Sequence, residues 1–450
     1  MKKESYLGTQ FNNQQLKSLI FPLVIEQTLA VMVGMVDTMM ISYAGESAIS
    51  GVSLVDMINN LLINIFAAIA TGGAVIISQY IGRKDREKAC ESANQLLLVT
   101  GFISLIIAFL IIAAHHPLLR LLFGSITDEV MASAQTYLLI SAFSYPFLAI
   151  FNSCAAIFRS MGNSKIAMQV SVGMNICNAI GNALLIFGLD MGVAGAALSS
   201  LFARALAACV MLLLVQNKKL YVYVTPKQIF RFDGNLVHKI VYIALPNGIE
   251  NGLFQLGRVL VVSIIAGFGT VQIAANAVAN SLDSVGCIAG QAMNLAMLTV
   301  VGQCIGAGDY KQAVYYIKKL LKIAYLLTIA VNCVLLLCLP LILNVYTLSP
   351  EARTLSMILV LIHNGLAMLL WPVSFTLSNA LRAAGDVKFT MIVAIFSMCA
   401  FRILFSVILG TCLGMGAIGV WIAMILDWIF RSAVFVTRFL RGKWKNIRVI

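Results

Sequence analysis

Residues 21–27 read FPLVIEQ and residues 245–251 read LPNGIEN, which sets Pro22 against Pro246 and Glu26 against Glu250 at an offset of 224. The same offset, or one residue less, joins four more pairs of blocks. SQYIGRKDREKA at 78–89 answers GQCIGAGDYKQA at 302–313, and HPLLRLLF at 116–123 answers LPLILNVY at 339–346. FRSMGNSK at 158–165 answers LRAAGDVK at 381–388, and MGVAGAA at 191–197 answers MGAIGVW at 415–421. Five blocks in one order at one offset mark a chain made of two copies of one unit.

Composition says what that unit is. Of 450 residues, 60% are hydrophobic and 11% charged, with a mean hydropathy of +0.94. A soluble domain carries about a quarter charged residues, so the main solvent of this chain is lipid. About 20 apolar residues in a helix cross a bilayer. By that measure spans fall near 19–43, 51–81, 93–114, 135–158, 166–187 and 192–215 in the first copy. The second copy gives 237–268, 273–304, 321–343, 355–380, 389–410 and 416–438. The expected fold is an all-α membrane protein of twelve transmembrane helices in two six-helix lobes. Six spans per copy is an even number, so the lobes are parallel, related by a pseudo-two-fold along the membrane normal. The expected domains are 1–216, a cytoplasmic linker 217–238 with Pro226, Lys218, Lys219, Lys227 and Arg231, and 239–450, which opens on Lys239.

The net charge of +13 does not indicate nucleic acid, because the basic residues lie between hydrophobic spans and form no single face. Lys2, Lys3 and Lys17, the cluster Arg83 to Lys88, Arg159, Lys165, Lys311, Lys318, Lys319, Arg382, Lys388 and the basic tail mark one side of the membrane. The alternate loops carry only Arg120 and Arg353. Both termini are therefore expected in the cytoplasm of a multi-pass cell (inner) membrane protein. The polar start MKKESYLGTQFNNQQLKSL offers no signal peptide ahead of the first span. Ten scattered cysteines without a CxxC pair imply neither zinc nor disulfides.

The Pro-x-x-x-Glu opening of both copies, VDT at 36–38, the two GxxD loops and the RSMGN and RAAGD blocks together resemble the multidrug and toxic compound extrusion (MATE) family. The resemblance spans essentially the whole chain. It implies a secondary antiporter that exports amphipathic, often cationic drugs or metabolites by alternating access, with H⁺ or Na⁺ entering in exchange. Small amphipathic molecules and the bilayer are then its partners, the chain works as a monomer, and no cofactor is needed. A flippase for lipid-linked saccharides is the alternative, but it should gather several cations, and only Arg204, Arg258 and Arg402 lie mid-membrane. A channel or receptor fits the two-lobe design poorly, and without an ATP-binding motif or catalytic constellation an enzyme is not expected.

Charged side chains in a bilayer core are costly and face the protein interior or a water-filled cavity. The first span carries Glu26 and Asp37, eleven residues apart on one face, about 16 Å along the axis. The fifth carries Asn175, Asn178 and Asn182 on one face. Counting outward from the following loop sets Ser200 opposite Asn182 and Arg204 opposite Asn178. In the family, Asp37 matches an acid of the cation site, Asn178 an amide and Ser200 a hydroxyl, while Asn182 replaces a carboxylate. One acid with amides is a poor Na⁺ cage. H⁺ is therefore the favoured coupling ion, with Na⁺ possible at Asp37. The amides also suit plain interhelical hydrogen bonding.

In the second copy Arg402 and Asp427 lie at matching depth and are read as a structural ion pair. His363 is the one mid-membrane histidine, and a histidine satisfied within the bundle is preferred to a coupling role. Polar stripes run along Ser53, Asp56, Asn60 and Asn64, and along Asn276, Asn280, Asp283 and Gln291. With Glu26 and Glu250 they outline an expected substrate cavity. Met32, Met35, Met39, Met40, Met57, Met293 and Met297 offer it adaptable apolar contacts, or else face lipid.

Overall fold

The computed structural model describes residues 11–43, 45–124, 127–346 and 348–450. Lys2 and Lys3 lie outside the described residues, as do the side chains of Met35 and Thr38. The N-terminal copy forms α1 (Asn13–Ser42), α2 (Glu46–Gly82), α3 (Arg86–Phe123), α4 (Asp128–Ser160), α5 (Ser164–Asn182) and α6 (Gly192–Val215). After the short α7 (Pro226–Ile229) come α8 (Gly234–Ala266), α9 (Thr270–Gly286), α10 (Ile288–Gly306) and α11 (Tyr310–Val345). The chain ends with α12 (Pro350–Trp371), α13 (Leu377–Ala383), α14 (Val387–Ser397) and α15 (Gly416–Leu440). Twelve helical stretches among the described residues are long and apolar enough to cross a membrane.

The helices start and stop where local chemistry dictates. Asp85 caps α3 by accepting the Lys88 amide at 3.0 Å, and Asp309 caps α11 by accepting the Gln312 amide at 2.9 Å. These are the aspartates of the two GxxD loops, so that repeated motif is a turn followed by an N-cap. Gly162 and Gly385, at φ of 78° and 92°, close α4 and α13 in the left-handed region open to glycine. That accounts for the glycine shared by RSMGN and RAAGD.

One span departs from its sequence reading. Residues 273–304, read as a single helix, break at Cys287 into α9 and α10. The Gly286 carbonyl accepts Asn332 Nδ2 at 3.1 Å, and a Cβ at 286 would collide with the side chains of Asn332 and Asn364. Glycine is there because two amide side chains approach its backbone. Three other spans loosen into π-helix, at Ala183–Gly188 after α5, Pro372–Thr376 after α12, and Met398–Leu404 and Ser406–Cys412 after α14.

The chain divides into two compact units, Phe21–Gly248 and Ile249–Ile450 with the stretch to Ile20. The boundaries fall inside α1 and α8, next to Pro22 and close to Pro246, and so beyond the 217–238 stretch. That stretch is strapped along α3: Arg86 donates to the carbonyls of Lys218, Leu220 and Tyr221, and Gln95 Nε2 donates to Arg231 O at 2.6 Å. The start of α8 stays with the same unit, where Lys239 Nζ donates to Tyr80 OH at 3.0 Å. In the other unit, Tyr316 OH donates to Phe11 O at 2.7 Å and accepts Phe11 N–H at 2.9 Å. The first unit packs α4 against α2, α3 and α6 around Val55, Leu138, Tyr137 and Ala197. The second packs α12 against α9, α11 and α15 around Leu359, Val360, Ala279 and Trp421.

Candidate functional site

In the N-terminal unit, α1, α5 and α6 converge on one carboxylate. Asp37 Oδ1 accepts Asn178 Nδ2 at 3.0 Å and Asn182 Nδ2 at 2.8 Å, and Oδ2 accepts Asn178 Nδ2 at 3.1 Å. Both amides are buried. Ser199 Oγ donates to the Asn178 carbonyl at 2.7 Å and to its Oδ1 at 3.1 Å, and Ser200 Oγ donates to the same Oδ1 at 3.1 Å. Two hydroxyl donors on Oδ1 set the rotation of the amide, which turns Nδ2 toward Asp37. Ser200 thus meets Asn178, not Asn182 as depth counting has it. The π-helical turns after α5 carry an extra residue each, which shortens the helix per residue and slides the register. Arg204 does not pair with Asp37 among the described contacts; its Nη1 donates to Ser144 Oγ at 2.7 Å.

Asp56 stands nearby on α2. It accepts Asn59 Nδ2 at 3.2 Å and the Tyr137 hydroxyl, and Asn59 Oδ1 accepts Tyr145 OH at 2.7 Å. The charges of Asp56 and Arg204 both act on Asp37, with opposite sign. Asn60 is exposed, and its carbonyl accepts Asn64 Nδ2 at 2.7 Å.

In the C-terminal unit Asn280 turns its amide back onto the Asn276 carbonyl at 2.9 Å. Asp283 Oδ1 lies 3.1 Å from His363 Nδ1. Arg402 Nε lies 3.5 Å from Asp427 Oδ2, and Arg431 Nε donates to Asp427 Oδ1 at 3.0 Å. Ser397 donates to that same Oδ1. The pair read from sequence is thus part of a triad, one carboxylate between two guanidiniums, all at most 5% exposed. The Phe254 ring lies under both guanidiniums, 4.8 Å from Arg402 and 5.6 Å from Arg431.

Glu26 and Glu250 each have a partner in their own unit. Arg159 Nη2 lies 2.5 Å from Glu26 Oε1, and Arg382 Nη2 lies 2.5 Å from Glu250 Oε1. Each carboxylate of the expected substrate cavity thus carries a guanidinium of its own unit. The methionines divide as well: Met32, Met39 and Met57 are exposed, while Met293 and Met297 are fully buried.

Sequence reasoning missed Ser199, Tyr137, Asn59, Arg159 and Arg382 as members of these networks. The two arginines carried a usable signal, since they recur in the same repeated blocks that the glutamates' offset defines. Ser199 carried none, because nothing local separates it from its neighbour Ser200.

The MatE family model matches residues 22–184 and again 246–408, one match per copy. The chain is 29% identical over 434 residues to the uncharacterized transporter YisQ of Bacillus subtilis (strain 168), covering 95% of this chain and 94% of that protein. It is 25% identical over 444 residues to the probable multidrug resistance protein NorM of Thermotoga maritima, covering 97% and 94%. Among solved structures, the outward-facing conformation of a multidrug resistance MATE family transporter of the MOP superfamily superposes with a TM-score of 0.90 at 20% identity, over 96% of each chain. A MOP superfamily transporter from Pyrococcus furiosus gives 0.89 at 20% identity, over 96% of this chain and 97% of that one. The twice-matched repeat, the twelve spans and the shared fold make this chain a member of the MATE family of membrane transporters.

Proposed function

We propose that the chain is a secondary active antiporter of the cell (inner) membrane, with both termini cytoplasmic. It exports amphipathic, often cationic drugs or metabolites in exchange for H⁺ by alternating access, and works as a monomer without a cofactor. Asp37 is the coupling group. Asn178 and Asn182 hold its carboxylate, and Ser199 and Ser200 hold Asn178. Asp56, Asn60, Asn280 and Asp283 remain candidates for the substrate's path, whereas Glu26 and Glu250 serve to fix their helices.

The observation that carries the reading is the donor set around Asp37. Both amides present N–H groups to it, and an ionised carboxylate accepts such bonds well. Protonation weakens them and gives one conformation a reason to yield to another. A Na⁺ ion would instead need oxygen ligands. Turning Asn178 over to supply its Oδ1 would cost the bonds from Ser199 and Ser200. Relatives described as multidrug resistance proteins support a drug-like cargo.

The test is efflux of a fluorescent cationic dye from proteoliposomes under an imposed pH or Na⁺ gradient, with wild type and Asp37→Asn. Proton-driven efflux that the substitution abolishes is the expected result. Efflux driven by Na⁺ alone would sink proton coupling, and no efflux under either gradient would move lipid-linked cargo ahead.

A further inference from the structure

His363 is 2% exposed, yet its Nε2 has no hydrogen-bond partner among the described residues. Its Nδ1 lies 3.1 Å from Asp283 Oδ1, at ion-pair distance but poorly aligned for a hydrogen bond. Its ring packs against two indoles, edge-on to Trp421 with centroids 4.7 Å apart at 73° and tilted against Trp428 at 4.4 Å and 47°. A histidine kept only for packing satisfies its nitrogens, because a buried unpaired polar atom costs roughly 1–3 kcal/mol. This one has an acid beside one nitrogen, two indole rings packed against it and a second nitrogen left open. Such surroundings suit an imidazolium, which gains from the carboxylate and from cation–π contact with tryptophan.

The place in the fold points the same way. Asp283 is one turn before the break at Cys287, whose backbone amide donates to the Asp283 carbonyl at 3.0 Å and whose Sγ lies 3.5 Å from its Oδ1. Asn364, the neighbour of His363, donates to Asn332 Oδ1 at 2.9 Å, and Asn332 donates to Gly286 O. Histidine and carboxylate are thus tied from both sides to a discontinuous helix. Interrupted membrane helices and π-helical segments are where transporters place ion and substrate sites. The Asp283 side chain is 24% exposed, which leaves the pair a way for protons to enter.

We propose that His363 and Asp283 form a proton-binding site in the C-terminal unit, separate from Asp37. The charged groups around it come from every packed element. Asp283 and Cys287 face it from α9 and its cap, Arg258 acts on Asp283 from α8, and Asp427 with Arg431 belong to α15. Arg402 stands on the π-helical stretch after α14, and α11 presents the neutral Asn332. Three guanidiniums face two carboxylates, so the proton is held by its immediate contacts with Asp283 and the two tryptophans, against the wider field. The site stands whether or not the chain is a drug antiporter.

Protonated imidazole quenches indole fluorescence, and the chain has four tryptophans and four histidines. Tryptophan emission of the purified full-length protein in nanodiscs is measured between pH 5 and 8, for wild type, His363→Gln, Asp283→Asn and Asp37→Asn. The wild type is expected to quench in one step as pH falls. The step persists in Asp37→Asn, disappears in His363→Gln, and moves to lower pH by about one unit in Asp283→Asn, where the paired charge is gone. A flat wild-type profile, or a step that survives His363→Gln, overturns the proposal. Should His363→Gln fail to fold, a step unmoved in Asp283→Asn overturns it equally. None of these readings needs transport, so failed dye efflux leaves this result standing on its own.

Discussion

Arg382 Nη2 lies 2.5 Å from Glu250 Oε1, and Arg159 with Glu26 repeats that pair at the same distance in the other unit. In each case a helix just past its internal proline is tied to the last turn before the hairpin glycine. Removing one partner of a largely buried pair leaves a charge without compensation, at a cost of about 3–5 kcal/mol. Arg382→Ala and Glu250→Ala should each lower the melting temperature of detergent-solubilised protein strongly. The double variant should lose clearly less than the sum of the two, and additive losses would show that the two groups do not interact.

Asn182→Asp tests why protons are favoured. Asn182 Nδ2 sits 2.8 Å from Asp37, so the substitution sets a second carboxylate against the first. Two adjoining acids supply the oxygen charge that a hard cation needs. The variant is expected to gain Na⁺-driven dye efflux that wild type lacks, while wild type responds to the pH gradient. Unchanged ion preference would mean that position 182 does not touch the coupling ion.

The triad in the second unit should behave as structure. Asp427→Asn leaves Arg402 and Arg431 buried without a carboxylate and should cost about 3–5 kcal/mol. Ser397→Ala removes one neutral donor from the same oxygen and should cost about 1 kcal/mol. Thermal melts of the two variants separate these sizes, and equal losses would deny the triad its weight.

How much of this was legible follows from what lipid imposes. A membrane helix must be apolar along its whole length, so the spans and their repeat stand in the residue string itself. Intramembrane polar residues are few, and helical spacing alone put Asn178 and Asn182 on one face. What remained hidden depends on partners distant in sequence. Trp421 and Trp428 reach His363 from 58 and 65 positions away along the chain, and no periodicity links them to it. The break at Cys287 was hidden for a related reason, because Asn332 and Asn364 on other helices hold Gly286. That Ser200 meets Asn178 and not Asn182 depended on π-helical turns that apolar residues do not announce.

The two GxxD loops give the last prediction. Asp85 accepts the Lys88 amide and Asp309 the Gln312 amide, and each side chain replaces a bond that its helix start would otherwise lack. A capping aspartate changed to alanine costs typically about 1 kcal/mol. Asp85→Ala and Asp309→Ala are therefore each expected to lower thermal stability slightly, and together by the sum, because the caps belong to different units. Dye efflux per folded molecule should stay near wild type in both. A large loss of efflux with stability intact would assign these aspartates a part in transport that capping does not explain.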